Sequence, residues 1–311
     1  MSVQKKYISS LELKKKVLKE LFLRYVLSFY KYFFIKNPTE FSNKIKKIFI
    51  KKNILGRIYI SKEGINAQIS IPWYFLKFIK LFIKNLDIKL NNINFQRELS
   101  NKKISFWKLI IKIRSQILSS KIKNFIFDRN RVGKYLNAEQ VNQYIHKKNA
   151  ILVDMRNHYE YYIGHFKNSI TYPSQTFKIQ LKNLHNFLKD YKKKNIILYC
   201  TGGIRCEKAT SLLLYYNFKN VFQIFGGILG YIHEAKIKNL PIYFLGKLFV
   251  FDARLEEKVT SDIFTKCKNC KKITNNKYIN CRNNFCHLLF IQCNSCSKKF
   301  NFFCSEKCKN I

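Results

Sequence analysis

Acidic residues are scarce in this chain: 18 Asp and Glu stand against 59 Lys and Arg in 311 residues, a formal net charge of +41. Long apolar runs are missing as well. No stretch of 18 or more residues escapes Lys, Arg, Asp and Glu, which excludes a membrane-spanning helix. The segment from Met1 to Glu20 has no apolar core followed by a small-residue cleavage site, so the chain reads as unexported and cytoplasmic, with no membrane partner. Arginine is also sparse. Ten of the 59 basic residues are Arg and 49 are Lys, amid the Ile, Asn, Phe and Tyr that A- and T-rich codons specify. The charge therefore has two readings, a generally lysine-coated surface or a focused RNA footprint. What is present is ordinary in amount, with 47% hydrophobic and 25% charged residues. That excludes a disordered tail protein or a collagen-like fibre and leaves a folded chain of two domains, or three if one is small.

Ten cysteines without an export signal point away from a disulfide framework and toward metal binding or catalysis. Cys200 and Cys206 form a close pair, and the other eight lie between Cys267 and Cys308.

Over residues 1–115, helical and strand patterns alternate. Asn37-Pro38-Thr39-Glu40 is a helix start, and Phe41, Ile45, Ile48 and Phe49 then recur on one face. Strands are expected at Tyr25 to Phe34, Gly56 to Ile60, Ile65 to Ile71, near Ile88 to Phe95 and at Phe106 to Ile113, with a helix from Pro72 through Asn85. The order β-α-β-β-α-β predicts a split, ferredoxin-like (acylphosphatase-like) sheet. The turn Glu63-Gly64-Ile65-Asn66 reads as a hairpin, or as a surface facing RNA or a neighbouring cleft. Residues 116–134 form a basic connector. Lys121, Lys123, Arg129, Arg131 and Lys134 are interleaved there with Phe125 and Phe127, which suits an ordinary linker or stacked bases and phosphates. From Asn137 onward, short apolar strands at Ile151 to Asp154 and Ile196 to Tyr199 alternate with helices, implying a parallel α/β sheet over residues 135–245.

Cys200 follows directly on one of those strands, where open α/β sheets place their ligands. In Cys200-Thr201-Gly202-Gly203-Ile204-Arg205-Cys206, two glycines permit a tight turn whose amides point inward, and a helix starting near Arg205 adds its positive end. A thiol so held is expected to be acidic and nucleophilic. Arg205 adds a fixed charge to the loop or to a bound anion. Cys206 can be packing, a resolving thiol or a second catalytic group. The loop resembles that of the rhodanese family, whose nucleophilic Cys and closing Arg match Cys200 and Arg205. The upstream segment also resembles that family's signature through Asp154, Arg156, Glu160-Tyr161 and Gly164-His165. Asp154, Arg156 and His165 are expected to tie the site together and not to act in the chemistry. Four residues, Thr201 to Ile204, separate Cys200 from Arg205, and that ring fits a sulfur or other small substituent better than a phosphate.

Cys267-x-x-Cys270 and Cys293-x-x-Cys296 have the spacing of structural zinc knuckles, and Cys281, Cys286, Cys304 and Cys308 complete a set of eight within the Cys-rich tail, residues 246–311. Zinc is the expected ion, and an iron–sulfur cluster and free thiols are the alternatives. A tail this small holds together poorly on a core alone. How the ligands divide into sites is not readable, and His287 beside Cys286 is an awkward ligand.

The whole chain resembles the oxygen-dependent tRNA uridine-34 hydroxylases. Gly56-Arg57-Ile58-Tyr59-Ile60-Ser61-Lys62-Glu63-Gly64-Ile65-Asn66, the loop from Cys200 to Lys208, and the tail run Cys286-His287-Leu288-Leu289-Phe290-Ile291-Gln292-Cys293 carry the likeness. The resemblance implies oxidation of the wobble uridine of tRNA to 5-hydroxyuridine with molecular oxygen as co-substrate, a tRNA anticodon loop as partner, and Cys200 as nucleophile. No organic cofactor is evident, and the oligomeric state is left open. The alternatives are a sulfurtransferase carrying a persulfide on Cys200 and a non-catalytic RNA-binding adaptor.

Overall fold

The computed structural model describes residues 9–97, 105–120, 127–128 and 130–310. Lys121, Lys123, Phe125 and Arg129 of the connector therefore lie outside the described residues.

A short helix, α1 (Ser10–Leu18), begins at a reciprocal cap between Ser9 and Glu12. It precedes β1 (Arg24–Tyr32), α2 (Pro38–Lys51), β2 (Leu55–Ser61), β3 (Gly64–Pro72), α3 (Leu76–Lys84), β4 (Gln96–Arg97) and β5 (Leu109–Ile113). The sheet order is β4-β1-β3-β2-β5. Its first four strands have the ferredoxin-like arrangement, and β5 adds a parallel edge beside β2. Asn37 caps α2 by accepting the Glu40 amide at 3.1 Å, and Phe41, Ile45 and Phe49 bury one stripe against the sheet.

One expectation fails here and another is shortened. Ile88 to Phe95 is not a strand: Ile88–Leu90 is a 3-10 turn, because the Asp87 carboxylate accepts the Lys89 amide at 2.8 Å. Ile88 is left exposed while Leu90 is buried. The strand that fills that place is the two-residue β4, and Phe106 to Lys108 precede β5 without joining it.

The central part runs β6 (Lys134–Leu136), α4 (Ala138–Ile145), β7 (Ala150–Asp154), α5 (His158–Ile163), β8 (Gly164–Phe166), β9 (Ile170–Thr171), α6 (Phe177–Phe187), β10 (Asn195–Tyr199), α7 (Ile204–Tyr215), β11 (Val221–Ile224) and α8 (Gly227–Ile237). Its sheet, in the order β6-β11-β10-β7-β9, is parallel throughout. Two apolar cores cover its faces, as the run of buried residues in β7 and β10 requires. The chain then forms β12 (Phe244–Phe249), antiparallel to both β8 and β13 (Glu256–Lys258). The tail adds a hairpin of β14 (Tyr278–Asn280) and β15 (Leu289–Ile291), then α9 (Asn294–Phe300) and α10 (Glu306–Lys309). No helix among the described residues is long and apolar enough to cross a membrane.

Candidate active site

Cys200 ends β10, and three separate elements fix its loop. Gly203 takes φ +102° and donates its amide to the Cys200 sulfur at 3.1 Å, so the chain can turn into α7 directly above the thiol. From the other side, the start of α8 donates: Ile228 N–H to the Cys200 carbonyl at 2.9 Å and Leu229 N–H to that of Thr201 at 3.1 Å. Gly227 must be glycine there, since a Cβ would stand 2.4 Å from the Cys200 carbonyl oxygen. Beneath the loop, Glu160 of α5 accepts from Nη1 and Nη2 of Arg205, at 2.7 and 2.9 Å, while Thr201 Oγ1 accepts a third bond from Arg205 Nη2 at 3.2 Å. Arg205 is thus committed to bracing the loop and not to an exchangeable anion.

Electrostatics make the sulfur an anion. Burial pushes the Cys200 thiol up, but the Cys206 thiol, the Arg205 charge and the amides of Arg205 and Gly203 together bring it down to about 6. Cys206, buried and facing that thiolate, is held well above the ordinary thiol range, so the shared proton rests on Cys206. Asp154 and Arg156 form a fully buried pair at 2.6 Å, and Arg156 also donates to the Gly164 carbonyl. His165 stacks on Tyr161 and packs on Phe264. These contacts tie the strands and loops of the central part together.

The loop forms one wall of a cleft of about 750 Å³, and the other wall is the N-terminal sheet. Period-two alternation sends Ile58, Ile60, Ile65, Ala67 and Ile69 into the core and the intervening polar side chains outward. Register aligns these in two rows, Ser28–Gln68–Arg57 and Tyr30–Asn66–Tyr59, both lining the cleft. Gly202 and Ile204 line it too, and a Cβ on Gly202 would point into open space. Cys200 belongs to the lining yet is itself fully buried, so a ligand meets its sulfur only at the cleft floor.

Contacts across the cleft fix its width. Tyr32 donates to the Ile204 carbonyl at 3.2 Å. Tyr30, and Tyr135 of β6, both donate to Glu207 Oε1, at 2.8 and 3.0 Å. Glu63 pairs with buried Lys208 at 3.0 Å and accepts the Ile117 amide at 2.7 Å. The hairpin turn at Glu63 therefore faces the central part of the chain. Phe127 of the connector packs edge-on against Tyr32, with ring centroids 4.7 Å apart. Sequence reasoning missed Glu207, Tyr30, Tyr135 and the polar rows. The only signal for the rows was the alternation Arg57-x-Tyr59 and Asn66-x-Gln68.

The eight tail cysteines converge in two sets of four: Cys267, Cys270, Cys293 and Cys296, and Cys281, Cys286, Cys304 and Cys308, with all sulfurs of a set within 4.8 Å of one another. Three of the sulfur pairs stand 3.6 to 3.7 Å apart. A tetrahedron with metal–sulfur bonds of about 2.3 Å has edges of about 3.8 Å, so the donor sets fit a tetrahedral thiolate metal ion. The sets interleave along the chain, the first taking the first and third cysteine pairs and the second the other two. His287 joins neither.

Three family descriptions match the chain in order: an acylphosphatase-like domain (UPF0176) over residues 24–117, a rhodanese-like domain over 137–234 and a "Rhodanase C-terminal" region over 245–309. A protein of Buchnera aphidicola from Acyrthosiphon pisum (strain APS), named tRNA uridine(34) hydroxylase, is 49% identical over 308 residues, covering 99% of this chain and 94% of that one. Proteins of the same name from Photorhabdus laumondii and Yersinia enterocolitica are 45% and 44% identical, and each alignment covers 99% of this chain and 88% of theirs.

Proposed function

This chain belongs to the tRNA uridine(34) hydroxylase family, and from that membership we propose that its cleft takes the wobble uridine of a tRNA and converts it to 5-hydroxyuridine. It is a hydroxylating oxidoreductase with a rhodanese-like domain at its centre. The observation that carries the reading is an acidic thiol, held to about 6, at the floor of a cleft with room for a nucleoside.

A base can reach Cys200 only outside its stack, and in an anticodon loop unstacking costs a few kcal/mol at most. Lys31, Arg57 and Lys178 on the cleft lining supply cations for the flanking phosphates, and the chain's net charge of +41 draws the polyanion in. Carbon 5 of uracil is a weak nucleophile until a group adds at carbon 6. The Cys200 thiolate adds there and leaves electron density on carbon 5, where oxygen is captured. Molecular oxygen as co-substrate gives one atom to carbon 5 and the other to water, with two electrons from a reductant. The two cysteine tetrads hold zinc in a structural role, bracing the tail away from the cleft.

Replacing Cys200 with Ala is expected to abolish 5-hydroxyuridine in cellular tRNA, read by mass spectrometry of nucleosides. Unchanged 5-hydroxyuridine would defeat the assignment, and efficient thiocyanate formation from thiosulfate and cyanide would favour a sulfurtransferase instead.

A further inference from the structure

Addition of a thiolate at carbon 6 leaves a chemical task that Cys200 cannot perform. Carbon 5 of the adduct bears a hydrogen that must leave before the ring regains its double bond. That calls for a proton-carrying group beside the sulfur, in the same cleft.

Glu207 stands there, in the first turn of α7, and shares the cleft lining with Cys200. Its Oε1 accepts from both tyrosine hydroxyls, one from each wall, whereas Oε2 accepts no hydrogen bond from the described residues. It has no ion-pair partner within 4.0 Å among the described residues, unlike Glu160 and Glu63, which pair with Arg205 and Lys208. A carboxylate held on one oxygen only, at the edge of a substrate-sized cavity, is placed to exchange protons with whatever occupies that cavity. Burial raises it above the usual carboxylate range; hydrogen bonds from Tyr30 and Tyr135 and the charge of Lys31 oppose that rise, and the Cys200 thiolate adds to it. Tyr32, whose hydroxyl the Glu207 charge helps to hold above its ordinary range, faces it as well.

We infer that Glu207 carries the proton to and from carbon 5 of the uracil, an inference that rests on the reading of Cys200 as the group that adds at carbon 6. In the last step of the reaction, the C5–H bond breaks and its proton passes to a Glu207 oxygen. The electron pair re-forms the C5–C6 double bond, the C6–S bond breaks, and Cys200 leaves as thiolate. The step is redox-neutral and needs no co-reactant.

The final step itself supplies the test. Without a group to take the C5 proton, the carbon–sulfur adduct persists, so Glu207→Gln incubated aerobically with substrate tRNA and a reductant should accumulate a covalent protein–tRNA complex on denaturing gels that Cys200→Ala does not form. It should also make 5-hydroxyuridine at least about 100-fold more slowly, in line with loss of general acid–base catalysis, while tRNA binding and alkylation of Cys200 persist. Glu207→Asp should restore part of the rate. Hydroxylation at the unaltered rate in Glu207→Gln would overturn the inference, as would a slowed Glu207→Gln that accumulates no adduct. Hydroxylation surviving in Cys200→Ala would show instead that the underlying reading had failed.

Discussion

At position 200 the burial cost and the polar gain are both large, and the gain wins. A thiol with no solvent contact should be harder to ionise, yet two amides, one guanidinium and the Cys206 thiol bring it to about 6. Alkylation of Cys200 by a small haloacetamide should therefore rise through a midpoint near pH 6 and level off above about pH 7. In Cys206→Ala the sulfur loses a donor that stabilises its anion, so the midpoint should move to higher pH; a midpoint left in place would show that Cys206 only fills space. Gly203 shows why the loop needs its glycine. Besides its positive φ, a Cβ there would lie 2.8 Å from the Tyr30 hydroxyl, the group that reaches across to Glu207.

Among the elements, α7 and α8 matter most, because both begin at the same point and aim their N–H groups at the loop. Their starts are glycines in the left-handed region, Gly203 and Gly226, and not the usual side-chain caps. The Cys200 loop was legible in sequence for that reason: glycines, a strand before and a helix after form a local pattern. The capped start of α2 was legible in the same way. The stretch at Ile88 to Phe95 was not. Its apolar residues have no partner strand, and a short-range bond from Asp87 settles the conformation.

Below these helices, β7 delivers Asp154 to a fully buried Arg156. Asp154→Ala would strand that guanidinium, whose Nη1 already has no hydrogen-bond partner, and should cost about 3–5 kcal/mol. The loss would be read as a fall in the urea midpoint of the central part. A cost under about 1 kcal/mol would mean that the pair is not what holds β7 to β8.

Over the whole molecule, the cleft and the tail are coupled through α5. The Tyr278 hydroxyl donates to the Tyr159 carbonyl at 2.9 Å, and the Lys266 amide donates to the Tyr162 hydroxyl at 3.2 Å, so the tail grips the helix that carries Glu160 and, through it, Arg205. Interleaved tetrads would let a metal in each tie together segments that are distant in sequence, which a tail this small needs. Elemental analysis should find two zinc ions per chain, falling to one in Cys267→Ser and to one in Cys281→Ser. A chain that retained both ions in either variant would contradict the tetrads.

The sequence by itself determined the capped start of α2, the strands β1, β2 and β3, the loop around Cys200, the eight-cysteine tail and the family likeness, because each depends on residues close together in the chain. The tertiary structure decided which cysteines share a site, that Arg205 braces the loop, and that Glu207 meets two tyrosines from opposite walls. It also decided that the outer faces of three strands close a cleft over the sulfur. Those outcomes rest on distances between segments far apart in sequence, set by sheet register and by how the two sheets pack, and no local pattern of residues encodes them.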